Sequence, residues 1–175
     1  MALNVVPVKV STKVPAIYRN KERVAAFRRH MRNAHKKAVK DAESLLKTAI
    51  KTSGAVATRR LLNSVTAKMV SGKNATAMFF ETEVGFKAPG SAYAYFANYG
   101  RDPGGPPPYI EISTWARARG IPQEAVEKIR SHIAHYGTEG HGFMELVQPM
   151  IERNNARVAS EAVVQFKSAI RAGDI

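Results

Sequence analysis

The sequence contains no cysteine, which excludes disulfides, thiolate nucleophiles, iron–sulfur clusters and cysteine-based zinc sites together. Acid is scarce too: fourteen Asp and Glu stand against twenty-seven Lys and Arg, a formal net charge of +13. Long apolar runs are also missing, so no membrane span and no membrane partner are expected. Residues 1–10 break their apolar run with Pro7 and Lys9 and offer no signal-peptide core, so a soluble chain made in a cytoplasm is expected. What remains is 175 residues, 45% hydrophobic and 23% charged, enough for one globular domain that folds without a covalent or metal staple. The charge imbalance points to polyanionic partners, nucleic acid first and acidic protein surfaces second.

The positive charge is concentrated. Residues 1–51 hold thirteen Lys and Arg and three acids, against fourteen and eleven in the remainder. Much of it lies in a segment with helical period, where Val24, Phe27, Met31, Ala34, Ala38, Ala42, Leu45 and Ala49 recur at steps of three and four. Asn20 is placed to cap a helix running from Lys21 to Ile50, and Gly54 to end it in a left-handed conformation. The alanine-rich seam suits close packing against a neighbour. Arg28, Arg29, Arg32, Lys36, Lys37 and Lys40 fall on the other faces. Those residues are a solvated charged surface or a surface for DNA or an acidic protein. No base-reading motif accompanies them, so any DNA contact would be to phosphates and indifferent to sequence.

Residues 1–19 read as an extended arm or edge strand, with Val5, Val6, Val8 and Val10 interrupted by Pro7 and Pro15. A short helical turn ending at Ser64 leads into a strand from Val65 to Val70, a turn at 71–74, and a second strand-like run over 75–86, together a β-hairpin. Asn74-Ala75-Thr76 is a chance glycosylation sequon. An aromatic helix over 92–99 closes at Gly100, and the prolines and glycines of 101–108 predict an irregular loop. A helix over 109–119 carries the single tryptophan, Trp115. Another begins at Pro122 and ends at Gly137. A last helical region runs from Phe143 to about Ala172, with Pro149 as a kink or a fresh start. The expected fold class is therefore α+β: a long basic N-terminal helix, a small antiparallel sheet or hairpin, several short helices and a C-terminal helix. Residues 20–175 are expected to form a single domain behind the arm.

No constellation supports catalysis. His132 and His135 lie one turn apart, with Glu139 and His141 in the loop beyond, but no HExxH pattern or third ligand of suitable spacing joins them, so surface histidines are expected, with no metal or other cofactor. His30 and His35 on the basic helix are read the same way. The acids fall in no signature of paired carboxylates, and the loop from Gly100 to Gly105 is neither GxGxxG nor a P-loop. The aromatics gather instead around the proline loop: Tyr93, Tyr95, Phe96, Tyr99, Tyr109 and Trp115. They form either a local core holding the loop or an interface, for which Tyr95, Tyr99, Pro107, Tyr109 and Trp115 are the candidates. Phe96-Ala97-Asn98-Tyr99-Gly100 and Ile133-Ala134-His135-Tyr136-Gly137 echo one another, as expected of two helices that each end on a left-handed glycine with a tyrosine tucked under the turn.

In order, Thr58-Arg59-Arg60-Leu61-Leu62-Asn63-Ser64-Val65, the hairpin, Ala94-Tyr95-Phe96-Ala97-Asn98-Tyr99-Gly100-Arg101-Asp102-Pro103, the Trp-bearing helix and Ile133-Ala134-His135-Tyr136-Gly137-Thr138 before Phe143 resemble the head–tail joining, or tail-completion, proteins of long-tailed bacteriophage necks. The resemblance covers roughly residues 20–170. Arg59 stands where that family's T-G-x-L-x-x-S stretch has glycine, and the stretch from Pro106 to Ile121 is longer than in its shortest members. The resemblance implies a non-enzymatic α+β subunit that forms a hexameric or dodecameric ring between the portal or connector side of the head and the tail tube or terminator protein, enclosing the DNA channel, with possible nonspecific contact to genomic DNA. It implies residence in the virion neck, after assembly in the host cytoplasm. The other readings are a tail terminator or minor capsid protein, a free nonspecific nucleic-acid-binding protein, and a small enzyme with an unrecognised site.

Overall fold

A computed structural model describes residues 6–13, 20–55, 59–73, 77–88 and 90–174. In chain order the elements are β1 (Val6–Lys13), α1 (Lys21–Thr52), α2 (Arg59–Ser64), β2 (Val65–Lys73), β3 (Ala77–Phe86), α3 (Gly90–Tyr99), β4 (Gly100–Arg101), α4 (Tyr109–Ala118), a 3-10 turn at Gln123–Ala125, α5 (Val126–Tyr136), β5 (Thr138–Glu139) and α6 (Phe143–Ala172). The fold is α+β, as expected. The remaining residues of the arm, Thr58 and the sequon lie outside the described residues. The described residues fall into two compact units, one built on 47–55, 59–65, 86–88 and 90–145 and the other on 6–13, 20–46, 66–73, 77–85 and 146–174.

The second unit is a helix pair with a sheet. The α1 start is capped as the sequence predicts: Asn20 Oδ1 accepts from the Glu22 N–H at 2.8 Å, and the Val24 N–H donates to the Asn20 carbonyl at 3.0 Å. The predicted seam is buried at Phe27, Met31, Ala38 and Ala42. It meets α6, where Phe27 and Phe166 pack edge to face with centroids 5.2 Å apart and Ala26, Ala159 and Ala162 fill the space between the helices. Phe27 pairs with Phe166 while Asp41 receives a hydrogen bond from Asn154, so the numbering runs oppositely and the helices are antiparallel. Small residues along the seam permit the close approach. Each fully buried aromatic here contributes about 2–3 kcal/mol of apolar burial.

The sheet has the order β1-β3-β2, and β1 runs antiparallel to β3 from Val6↔Val84 to Lys13↔Ala77. The segment read as arm or edge strand thus supplies an edge strand. Pro7, which cannot donate to a ladder, is tolerated there opposite Glu83. Pro149 does not restart α6: the helix is continuous through it.

The first unit is organised around the ends of helices. Gly100 and Gly137 close α3 and α5 at φ of +81° and +72°. The residues after them pair as β4 and β5, Gly100 with Glu139 and Arg101 with Thr138. The interval after Gly137, expected to be loop, therefore begins with this two-residue strand. The backbones approach so closely that a Cβ on Gly100 would sit 2.2 Å from the Thr138 carbonyl oxygen, and one on Gly137 2.1 Å from that of Arg101. The echo between the two helix ends is thus the packing of one end on the other. The expected tucked tyrosines are not found: Tyr99 and Tyr136 are 53% and 74% exposed, because the backbone crossing leaves no space beneath either turn for a ring.

Asn98, buried at the end of α3, ties this crossing to α6. Its Oδ1 accepts from the Met144 N–H at 2.8 Å, its Nδ2 donates to both Glu145 carboxylate oxygens at 3.2 and 3.0 Å, and its backbone carbonyl accepts from the Gly142 N–H at 3.0 Å. A side chain from another helix thereby satisfies an amide of the α6 first turn. The proline loop is held as well. Arg130 Nε donates to the Pro107 carbonyl at 2.8 Å, the Gly104 N–H donates to the Ala134 carbonyl at 2.8 Å, and the Arg101 guanidinium bonds the Gly105 carbonyl. Pro122 precedes a 3-10 turn, and α5 begins only at Val126.

Candidate functional site

Two surfaces are candidates, one in each unit. The first is the solvent side of α1. Arg28, Arg29, Arg32, Lys36 and Lys40 are exposed, opposite the buried seam of Phe27, Met31, Ala38 and Ala42. Arg28, Arg32, Lys36 and Lys40 follow one another at four-residue steps, which sets them along one ridge of the helix. Among the described residues no carboxylate lies within ion-pair distance of these five. Lys37, the sixth candidate, differs: its ammonium lies 3.9 Å from Glu161 on α6, an exposed contact worth little to stability. Three like-charged i,i+4 pairs in succession cost the isolated helix about 1 kcal/mol in all. The Arg28–Lys40 ridge is therefore unfavourable to the free chain, and an anionic partner would relieve it.

The second surface is α3. Tyr95 and Tyr99 are one turn apart with centroids separated by 5.1 Å, and Phe96 meets Tyr95 edge to face at 5.7 Å. All three are exposed, Phe96 at 49%, so the local-core reading does not hold for them. Tyr93 is 40% exposed. Partial burial raises its hydroxyl's pKa, with the nearby Arg119 charge opposing. Arg119 also lies 5.4 Å from the Trp115 ring centroid. Trp115 is half-buried beneath that guanidinium, Tyr109 is 45% exposed with Arg130 5.8 Å from its ring centre, and Pro107 is buried. Of the five interface candidates, Tyr95 and Tyr99 are brought together in the open, with Phe96 as a third member the candidate set omitted. Of the other three, Tyr109 is exposed, Trp115 is half-buried and Pro107 is buried, its carbonyl held by Arg130.

The histidines divide. His135 Nδ1 lies 2.8 Å from the Ser131 carbonyl, His132 stacks near Tyr136, and His141 Nδ1 lies 2.9 Å from the Ser53 carbonyl. Among the described residues no three His, Asp or Glu come together as a metal would need. His35 is not on the surface: it is buried to 4% exposure, with Nε2 3.2 Å from the Thr82 hydroxyl of β3. Desolvation lowers its pKa and a hydrogen bond to the Glu81 backbone works against that shift. Its position explains the correction. His35 follows the seam residues Met31 and Ala34, so it turns inward although its chemistry suggested the outside. The space beside it, about 20 Å³ among Met31, Ala38, Thr82, Asn155 and Val158, is too small for a substrate.

Among the described residues no helix is long and apolar enough to cross a membrane. Compared with protein-family models, with curated proteins and with solved structures, the chain has no match.

Proposed function

We propose that this chain is a non-catalytic assembly subunit of a tailed-phage neck, forming a ring that joins the portal or connector side of the head to the tail tube around the DNA channel. The observation that carries the reading is the solvent-facing aromatic group on α3. Three exposed rings, with Phe96 and Tyr99 each against Tyr95, lose their water only when another surface covers them. Two further features support it. The α+β order of long basic helix, strand pair, short helices and C-terminal helix agrees with the neck-protein resemblance. The exposed cations of α1 suit a subunit that works beside polyanions.

The test is mass photometry of the purified chain, alone and with its neighbouring neck proteins, for the native sequence and for a Tyr95→Ser/Tyr99→Ser variant. A ring that forms with the neighbours and is lost in the variant supports the reading. A native chain that stays monomeric with every neighbour removes it.

A further inference from the structure

The cations of α1 leave two classes of partner open, acidic protein and nucleic acid, and the side chains of the face favour the second. Arg28, Arg32, Lys36 and Lys40 lie on one ridge, with Arg29 and Asn33 on the ridge beside it, and all six are exposed. From Arg28 to Lys40 the ridge spans about 18 Å. A duplex of the same length presents about ten phosphates, at one per ~1.7 Å of axis. Each four-residue step also turns by about 40° around α1, so the row is an oblique stripe of regularly spaced charge, suited to a polyanion of constant phosphate spacing. Three of the cations are arginines, whose forked N–H groups take two phosphate oxygens at once, and Asn33 adds a neutral donor of the kind that also contacts phosphate. Val24, Ala25 and Asn33 lie among Lys21, Arg28, Arg29, Arg32 and Lys36 on this open surface, with no aromatic ring among the described residues lining it. A surface for single strands is expected to stack bases on such rings. A duplex, whose bases are already stacked, needs none.

We infer that the exposed face of α1 binds the phosphate backbone of double-stranded DNA, without reading its sequence. The inference deepens the neck reading by naming the partner of this face, and it can fail separately. If purified protein ignores duplex DNA while neck rings still form, this inference falls and the neck reading stands.

The test is fluorescence anisotropy of the full chain with an arbitrary 24-base-pair duplex between 50 and 200 mM salt. Five phosphate contacts predict a slope of log K against log salt of about −4.5, and an affinity no tighter than micromolar near physiological salt. Between 150 and 50 mM the affinity should rise about 100-fold on that slope. The triple variant Arg28→Ala/Arg32→Ala/Lys36→Ala should flatten the slope by about 2.7, and Lys36→Ala alone by about 0.9. A charge-matched variant, Lys87→Ala/Lys128→Ala/Arg171→Ala, removes exposed cations elsewhere and should keep the native slope. Thermal melts confirm that each variant is folded. The inference is overturned by an equal loss in both triple variants, by a single strand bound more tightly than the duplex, or by polyglutamate of equal charge competing as well as the duplex does.

Discussion

At the residue scale, the buried polar side chains are the informative ones. His35 is held neutral in the core with its pKa below the ordinary histidine value, so the unfolded chain takes up a proton that the folded chain does not. Stability is then fully present above about pH 6.5 and falls as the pH drops from there toward the lowered folded pKa, by at most about 1.4 kcal/mol per pH unit. Denaturant melts at a series of pH values from 7.5 to 5 check this. In His35→Leu that part of the profile should flatten, whatever the variant loses at neutral pH from leaving the Thr82 hydroxyl without its neighbour. Asn98 gives a second expectation. Asn98→Ala removes the acceptor for the Met144 amide and the donor to Glu145, and should cost about 1–3 kcal/mol by the same melts. Asn98→Asp, which sets a carboxylate against that of Glu145, should cost more.

At the scale of elements, much was legible because the signals were local. The α1 helix declared itself through Asn20, its alanine-rich seam and Gly54, and the glycines at 100 and 137 marked helix ends that the structure bears out with positive φ. The pairing of β4 with β5 was not legible. It joins positions 37 and 39 residues apart, and the echo between the two helix ends hinted at likeness without revealing contact. The same limit hid the role of Asn98, since nothing local to it says that it caps a helix beginning at Phe143. Two predictions belong here. Gly137→Ala would force a Cβ onto the Arg101 carbonyl at a left-handed φ, so a loss of at least 2 kcal/mol is expected from its thermal midpoint. Lys36→Glu converts two repulsive i,i+4 pairs on α1 into attractive ones. It should raise stability by about 1 kcal/mol while weakening duplex binding. Gain of one property with loss of the other marks a ridge kept for a partner.

At the scale of the molecule, the exposed aromatics of α3 and the uncompensated charge of α1 are surfaces that the isolated chain does not use. Sequence alone pointed to both segments but could not separate members that face solvent from those that hold the fold. Exposure is decided by packing: Arg130 and the α4–α5 pair hold Pro107 inside, while Tyr95, Phe96 and Tyr99 stay open. The proposed role makes no demand for an active site and rests on association. Its most direct test is electron microscopy of particles made with the gene deleted and then restored. Full heads and finished tails that fail to join, and that join again when the native chain is supplied, are the predicted result; normally joined particles without the chain would contradict the account.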